Sequence, residues 1–288
     1  MRLNLFYNYI SKRAISCSSS RRAKKVKESY IYLEGSEVLY GYFPVLLALQ
    51  SQLRQVFKLF ITKHKLSLRQ KRIVELATRN NIDIDAVDSH VLDMLARRED
   101  KERGVHQGIC VDVSSIPIQY INEYPINASR RTDILLSGIK DPFNMGSIIR
   151  SSYFLGVNDV FISEDYKTSS ISPIVSKASS GTLEIHPPKK ILNIDSFLNQ
   201  CLQSKCLVIG VDCNKGSSSR DINDLSQNNK MLIMGSEDKG IDSNLTKYCT
   251  NFVTIPPGRD LHPDVDSLNV STASAVLISE LMRTNKGE

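Results

Sequence analysis

The stretch "LLSGIKDPFNMGSIIR", residues 135–150, contains the strand-to-helix junction on which the fold depends. Its first part belongs to an apolar run over 133–139 that predicts a strand, and its last part begins a pattern that predicts a helix over 145–156. Asn144, Gly146 and Arg150 lie at this junction, where the end of a parallel strand presents side chains to a ligand. Taken alone, Asn144 is better explained as a turn residue and Arg150 as a surface cation.

Two later stretches repeat this design: "LIMGSEDKGI" (232–241) and "TIPPGRDLHPDVDSLNVS" (254–271). Each has an apolar strand, then a Gly or Pro break, then polar residues near a predicted helix start, where backbone N–H groups can face a ligand. Neither contains the glycine fingerprint of a dinucleotide site or a Walker A sequence. A nucleotide-binding oxidoreductase is therefore disfavoured.

Strands and helices alternate from residue 131 onward, which predicts an α/β domain with a parallel sheet. We expect strands at 133–139, 159–163, 182–186, 206–213, 230–235 and 251–256, and helices at 145–156, 172–181, 194–204 and 267–283. Upstream, strands at 56–62 and 108–114 and a helix at 69–81 predict a smaller α/β domain. The expected plan is a leader at 1–28, a small domain at 29–115, a linker at 116–130 and the larger domain at 131–288.

Taken in order, three motifs resemble those of the SpoU (TrmH-like) family, the S-adenosylmethionine-dependent RNA 2′-O-ribose methyltransferases of the SPOUT superfamily. They are N-x-G-x-x-x-R at 144–150, G-x-E at 235–237 followed by Gly240-Ile241, and I-P…S-L-N-V-S at 255–271. The segments 39–49 and 106–109 resemble the start and end of the substrate-binding domain of the ribosomal RNA branch. This resemblance implies a deep C-terminal trefoil knot, a homodimer, S-adenosyl-L-methionine bound in the knot region, and no metal.

The resemblance also implies roles for individual residues. Asn144 and Arg150 would face the acceptor ribose and phosphate, with Gly146 allowing close approach, and Glu237 would orient one of them. Ser267 and Asn269 would complete the catalytic set, although Ser267 is also explained as a helix N-cap. Because a guanidinium is a poor proton acceptor, we expect Arg150 to bind phosphate or to stabilise the developing oxyanion.

The adenosine of the cofactor would, by the same resemblance, lie against the backbone at Gly235, Ile255 and Leu268. The connection between Ile255 and Ser267 contains "PPGRDLHPDVD", and by the same resemblance it is longer than is usual in bacterial members of the family. It resembles the mitochondrial members that methylate a guanosine ribose in the large-subunit rRNA.

The first 28 residues contain eight basic side chains and one acid, Glu28. This composition is typical of a mitochondrial transit peptide, and a basic RNA-binding tail is the alternative. The rest of the chain has 29 basic and 30 acidic residues. The net charge of +6 therefore does not by itself indicate a nucleic-acid partner, and we expect a location in the mitochondrial matrix from the leader.

A local basic run between residues 54 and 72 is a better candidate for RNA binding, because it contains no acid. An ordinary solvated face is the alternative. The residues expected to contact RNA phosphates are Arg54, Lys58, Arg69, Lys71 and Arg72.

The function expected from these features is methylation of a guanosine ribose in mitochondrial large-subunit rRNA, as free RNA or in a pre-ribosomal particle. A tRNA ribose methyltransferase and a non-catalytic ribosome-assembly factor with the same fold are the alternatives. The sequence has no apolar stretch of the roughly 18 residues that a membrane span needs, and its six cysteines have no zinc-like spacing.

Overall fold

The computed structural model describes residues 35–96, 104–125, 130–163, 168–211, 229–236, 239–262 and 267–283. The described residues belong to one compact unit that begins at Gly35. They fold around two sheets. The predicted leader, 1–28, lies outside the described residues.

The smaller sheet has four strands in the order β1-β4-β2-β3, with β4 antiparallel to both neighbours and β2 parallel to β3. Its strands are β1 (Ser36–Tyr40), β2 (Val56–Thr62), β3 (Asp83–Val87) and β4 (Ile109–Ser114). Its helices are α1 (Tyr42–Ser51), α2 (Leu68–Arg79) and α3 (Ser89–Leu95). A separate core of buried aliphatic side chains lies between α1, α2 and this sheet.

The larger sheet has seven strands in the order β11-β9-β10-β6-β7-β8-β5, and every pairing is parallel. The strands are β5 (Tyr120–Ile121), β6 (Thr132–Leu136), β7 (Asp159–Ser163), β8 (Lys189–Ile191), β9 (Leu207–Val211), β10 (Lys230–Met234) and β11 (Asn251–Val253). Every residue of β6 and β10 is buried, as expected for central strands covered on both faces.

Helices cover both faces of the larger sheet. They are α4 (Pro142–Leu155), α5 (Pro173–Ala178), a 3-10 helix (Thr182–Glu184), α6 (Ile194–Gln203), α7 (Ser243–Thr246) and α8 (Val270–Arg283). One core contains side chains of α4, α5 and α8, and the other contains side chains of α6 and α7. The predicted α/β class with a parallel sheet is confirmed.

Some local predictions are wrong. Residues 182–186 were expected to form a strand, but Thr182–Glu184 form a 3-10 helix after Gly181, whose φ is +80°. The expected linker over 116–130 contains β5, which pairs with β8 at the edge of the larger sheet. Helix α4 begins at Pro142, three residues before the predicted start. Asp141 at the N-cap and Pro at the first position are the signals that place this start.

Within the part of the chain that the structure describes, no helix is long and apolar enough to cross a membrane. Among the same residues, no group of three or more His, Cys, Asp or Glu side chains is placed to hold a metal ion.

Candidate active site

The first turn of α4 places Asn144 beyond the end of the central strand β6. The Asp141 carboxylate caps this helix by accepting a hydrogen bond from the Phe143 N–H at 3.0 Å. The helix start is thereby fixed by its own sequence, because Asp at the N-cap satisfies an otherwise unpaired N–H. Asn144 is half-buried there.

Asn269 lies immediately before α8 and contacts Asn144 directly. Its Oδ1 accepts hydrogen bonds from the Ser271 N–H at 2.9 Å and the Ser271 hydroxyl at 2.6 Å. Its Nδ2 donates to Asn144 Oδ1 at 3.1 Å. Since the amide oxygen of Asn269 caps α8, its NH₂ group points toward Asn144, and the orientation of the Asn269 amide is fixed.

Arg150 extends from the exposed side of α4, about 9 Å along the helix axis from Asn144. Its Nη1 donates a hydrogen bond to Ser180 Oγ at 2.9 Å. Ser180 has a left-handed backbone, with φ of 51°, and lies between α5 and the 3-10 helix. The guanidinium is therefore anchored to a different element from the Asn144–Asn269 pair while its side chain stays exposed.

Gly146 has a different role from the one expected. It is buried against α5, where an added Cβ would lie 2.5 Å from Ala178 Cβ and 2.8 Å from the Val175 carbonyl oxygen. The glycine therefore allows two helices to pack closely. The expectation that it lets the helix start approach a ligand is wrong.

The segment after β10 folds back on itself next to Gly235. Ser236 and Gly240 exchange backbone hydrogen bonds of 2.9 Å in both directions. A Cβ on Gly235 would overlap the backbone atoms of Gly240 and Ile241, so only glycine fits. Glu237, between these residues, lies outside the described residues, and its role remains a prediction.

The other residues expected at the cofactor or catalytic site follow β11 and precede α8. Ile255 is half-buried against the core that contains Val270, and Leu268 is exposed. Ser267 is exposed as well. The side chain that accepts the N–H groups of Ser271 and Thr272 is that of Asn269, so the N-cap reading of Ser267 is replaced by one for Asn269.

The basic side chains expected to contact RNA differ in their surroundings: one is buried, one is partly exposed and paired with a carboxylate, and three are exposed. Arg54 was expected to contact RNA, but its side chain is 0% exposed and its Nε lies 2.7 Å from Glu184 Oε2. That expectation is wrong, because a side chain enclosed by carboxylates cannot reach a phosphate. Lys58 is partly exposed and lies 3.1 Å from Asp85 Oδ2. Arg69, Lys71 and Arg72 are exposed on α2 and stay available for the predicted contact.

Ser180 and Glu184 are functional candidates that sequence reasoning missed. Neither belongs to a motif, and no sequence-spacing rule connects Arg150 to Ser180 or Arg54 to Glu184, which is 130 residues away. Glu184 lies within the stretch 182–186 that was predicted to be a strand, and no role was predicted for its side chain.

The family models match both parts of the chain. "SpoU rRNA Methylase family" matches residues 131–279, and "RNA 2'-O ribose methyltransferase substrate binding" matches residues 38–119. The chain belongs to the SpoU family. Its motif residues Asn144, Gly235 and Asn269 all lie within the first match.

Individual relatives agree with this membership. This chain is 32% identical over 266 residues to "rRNA methyltransferase 1, mitochondrial" of Homo sapiens. The match covers 87% of this chain and 74% of the relative. It is 28% identical to "23S rRNA (guanosine-2'-O-)-methyltransferase RlmB" of Haemophilus ducreyi, covering 86% and 98%.

A solved structure shares the fold. The SpoU methyltransferase AviRb from Streptomyces viridochromogenes, in complex with its cofactor AdoMet, superposes with a TM-score of 0.70 at 19% identity, covering 93% of this chain and 99% of that one. This SpoU family member therefore has the fold of a solved SpoU methyltransferase.

Proposed function

We propose that the chain transfers a methyl group from S-adenosyl-L-methionine to the 2′-hydroxyl of a guanosine ribose in mitochondrial large-subunit rRNA. The observation that carries the proposal is the hydrogen bond of 3.1 Å between Asn269 and Asn144. It brings together two of the three family motifs, 125 residues apart in sequence. A protein that only binds RNA has no chemical need for this fixed amide pair.

The residues proposed for the cofactor fit an adenosine. Next to Gly235, the backbones of Ser236 and Gly240 exchange hydrogen bonds. The side chain of Ile255 is half-buried and that of Leu268 is exposed. Apolar side chains with nearby backbone polar groups are the usual surroundings of such a ligand. When bound, S-adenosyl-L-methionine supplies an electrophilic methyl group on a sulfonium.

Arg150 is proposed to bind the phosphate next to the reacting ribose or to stabilise the developing 2′-oxyanion. Its Nη1 is held by Ser180, which leaves other N–H donors of the guanidinium for an anion. Preorganised donors of this kind contribute to the rate because they need no rearrangement as negative charge develops. Glu237 and Ser267 are proposed to complete this set.

The substrate is inferred from relatives. The human relative is named as a mitochondrial rRNA methyltransferase and the Haemophilus ducreyi relative as a guanosine 2′-O-methyltransferase of 23S rRNA. Together with the basic leader, these names support import into the mitochondrial matrix and an rRNA substrate, free or in a pre-ribosomal particle.

A homodimer and a trefoil knot in the C-terminal part of the larger domain are also proposed from the family resemblance. Tyr153 and Phe154 on α4 are 50% and 87% exposed, and adjacent exposed aromatic side chains favour an interface. Sedimentation of the full chain tests the dimer, with the Phe154→Glu variant expected to shift it toward monomer. A wild-type chain that sediments as a monomer at micromolar concentration contradicts it.

Methyl transfer to defined RNA tests the activity. Full-length chain is incubated with methyl-labelled S-adenosyl-L-methionine and transcripts of mitochondrial large-subunit rRNA or tRNA, and 2′-O-methyl positions are mapped. We expect one guanosine in the rRNA to be modified by wild type but not by Asn144→Ala. Modification of tRNA alone supports the alternative substrate. Absence of any transfer to free rRNA and to pre-ribosomal particles supports an assembly factor.

A further inference from the structure

We propose that Phe43 and Arg69 form a subsite that binds one unstacked nucleobase of the RNA, close to Arg150. This inference rests on the proposed RNA substrate and adds where a nucleotide other than the methylated one is held. Phe43 is the second residue of α1 and is 47% exposed, whereas its neighbours Tyr42 and Pro44 are buried.

The aromatic ring and the cation are already arranged together. The Phe43 ring lies edge-on to the Tyr42 ring, with centroids 5.1 Å apart. The Arg69 guanidinium lies 5.3 Å from the Tyr42 centroid and 5.9 Å from the Phe43 centroid. A half-exposed ring beside a guanidinium offers a base both a stacking surface and a cation, which is the pairing that single-stranded RNA sites use.

The backbone that carries these side chains is held by Gln107. Its Oε1 accepts a hydrogen bond from the Tyr42 N–H at 2.9 Å, and its carbonyl oxygen accepts one from Gln70 Nε2 at 3.1 Å. The start of α1 and the first turn of α2 are thereby tied to the same residue. Phe43 and Arg69 therefore form a preformed platform, which loses little conformational freedom when it binds a base.

The platform lies close to the proposed catalytic arginine. A Cβ on Gly181 would be 2.7 Å from the Phe43 carbonyl oxygen. The preceding residue, Ser180, holds Arg150 through a hydrogen bond of 2.9 Å. The Phe43 backbone thus lies against Gly181, the residue after the one that holds Arg150. We infer from this that the nucleotide whose base stacks on Phe43 is close in sequence to the reacting ribose.

The surrounding charge favours RNA over a protein partner. Arg69 and Arg72 are one turn apart on α2, and both are exposed. Within the described part of the chain, the ion pairs found for the basic run involve Arg54, Lys58 and Lys63, and none is found for Arg69 or Arg72. Exposed cations next to an aromatic ring suit a phosphate chain with a splayed base.

The absence of tryptophan from the chain allows a direct test. Phe43→Trp in the full-length chain introduces the single tryptophan, whose emission is excited selectively and followed while a mixed-sequence single-stranded 12-nucleotide RNA is added. Stacking of a base should quench its emission. A ribose-phosphate oligomer of the same length without bases should leave the emission unchanged. Tyr120→Trp is the matched control, because Tyr120 is also half-exposed, with Lys190 Nζ at 5.6 Å from its ring centroid.

Affinity provides the second readout. We expect Phe43→Leu to raise the Kd for the 12-nucleotide RNA by about 5- to 150-fold, the range for loss of one stacked base. Phe43→Leu should leave the dependence of RNA affinity on salt concentration unchanged. Arg69→Gln, which removes a charge, should lower the slope of log affinity against log salt concentration by about one unit. Tyr120→Leu should leave the Kd unchanged, and the Tm of each variant is measured alongside.

An unquenched Phe43→Trp variant that binds the RNA as tightly as wild type overturns the subsite. The same holds if the base-free oligomer quenches it equally, because the contact is then with the phosphate chain. Failure of the proposed function is distinguishable: RNA would then still quench the Phe43→Trp variant, while wild type would bind the RNA but methylate no rRNA. Methylation of rRNA by wild type, together with no quenching of Phe43→Trp by RNA, contradicts the subsite alone.

Discussion

Arg54 and Glu184 form a fully buried ion pair between the four-stranded sheet region and the 3-10 helix beside α5. Arg54 Nε donates to Glu184 Oε2 at 2.7 Å and Nη2 donates to Oε1 at 3.2 Å, with both side chains 0% exposed. Arg54 Nη1 also donates to Glu37 Oε2 at 2.6 Å. Ser176 Oγ donates to Glu184 Oε1 at 2.7 Å. One guanidinium thus binds both carboxylates, so the smaller sheet is fixed to the segment that carries Ser180.

Removing one partner of this pair should destabilise the protein strongly. A single buried charge without its partner typically costs about 3–5 kcal/mol. In a chain of this size that corresponds to a decrease in Tm of roughly 6–20 °C. We expect Arg54→Met and Glu184→Leu each to show this loss, and the double variant to lose less than their sum. Additive effects in thermal unfolding would show that the two residues are not coupled.

A methyl group at Gly235 should disturb the proposed cofactor site. A Cβ there would overlap the backbone of Gly240 and Ile241, and such overpacking costs about 1–3 kcal/mol. We expect Gly235→Ala to weaken S-adenosyl-L-methionine binding by at least about tenfold, measured by calorimetry. Gly258→Ala is the control, because a Cβ there meets no atom within 4 Å. Equal affinity in both variants would remove Gly235 from the site.

The sequence predicted the parallel sheet because its central strands are continuous apolar runs between helices with capping signals. The strand expected at 159–163 has those same bounds in the structure. Strands β5 and β8 were not predicted, because their two and three residues are too few to show a periodic pattern. Their pairing depends on tertiary contacts.

The motif residues were predicted from order and spacing, but their partners were not. Asn144 and Asn269 could be assigned to one site through the family resemblance. Arg54 could not be separated from Arg69 in sequence, since both are arginines in an acid-free run. Only the fold shows that Arg54 meets two carboxylates, whereas Arg69 lies beside the buried Tyr42 ring and the half-exposed Phe43 ring.

Asn269 combines a capping role with contact to Asn144, and two variants separate these. Asn269→Ser keeps an N-cap oxygen, so Tm should hold, while loss of the amide contact should lower turnover by roughly 10²-fold through misplacement of Asn144. Asn269→Ala should lower turnover and also remove about 1 kcal/mol of stability. Single-turnover methyl transfer and thermal unfolding provide the two readouts. Wild-type turnover in Asn269→Ser would contradict the role of the amide pair.

Lys230 is fully buried in β10, and burial, with a smaller contribution from Arg130, lowers the pKa of its ammonium to about 8. The unfolded chain keeps this proton up to about pH 10.5. Between these values the unfolded state binds more protons, so this residue makes stability rise with pH.

We therefore expect Lys230→Met to be more stable than wild type at pH 7 by on the order of 2 kcal/mol, with the difference shrinking toward pH 10. Urea unfolding of both proteins at the two pH values measures this, with the exposed Lys239→Met as control. Equal destabilisation of Lys230→Met at both pH values would mean that its contact with the Leu281 carbonyl, at 3.4 Å, dominates.

Arg150 separates two mechanisms for the methyl transfer. If the guanidinium binds phosphate or the oxyanion, Arg150→Ala should lower turnover by roughly 10²–10³-fold, as for loss of one electrostatic donor. Arg150→Lys should recover part of it, because the charge is kept and the planar fork is lost. Affinity for S-adenosyl-L-methionine should stay the same, since Gly235, Ile255 and Leu268 are proposed to make that contact.

A general-base role for Arg150 demands a different pH profile. The single-turnover rate would rise with pH along an ionisation that belongs to this residue, and the rise would disappear in Arg150→Ala. Ser180→Ala provides a further comparison, because it frees Nη1 from its anchor at 2.9 Å without changing the charge. We expect Ser180→Ala to lower turnover less than Arg150→Ala, with a profile parallel to that of wild type. A pH-dependent step lost only in Arg150→Ala would overturn the electrostatic role, and wild-type turnover in Arg150→Ala would exclude both roles.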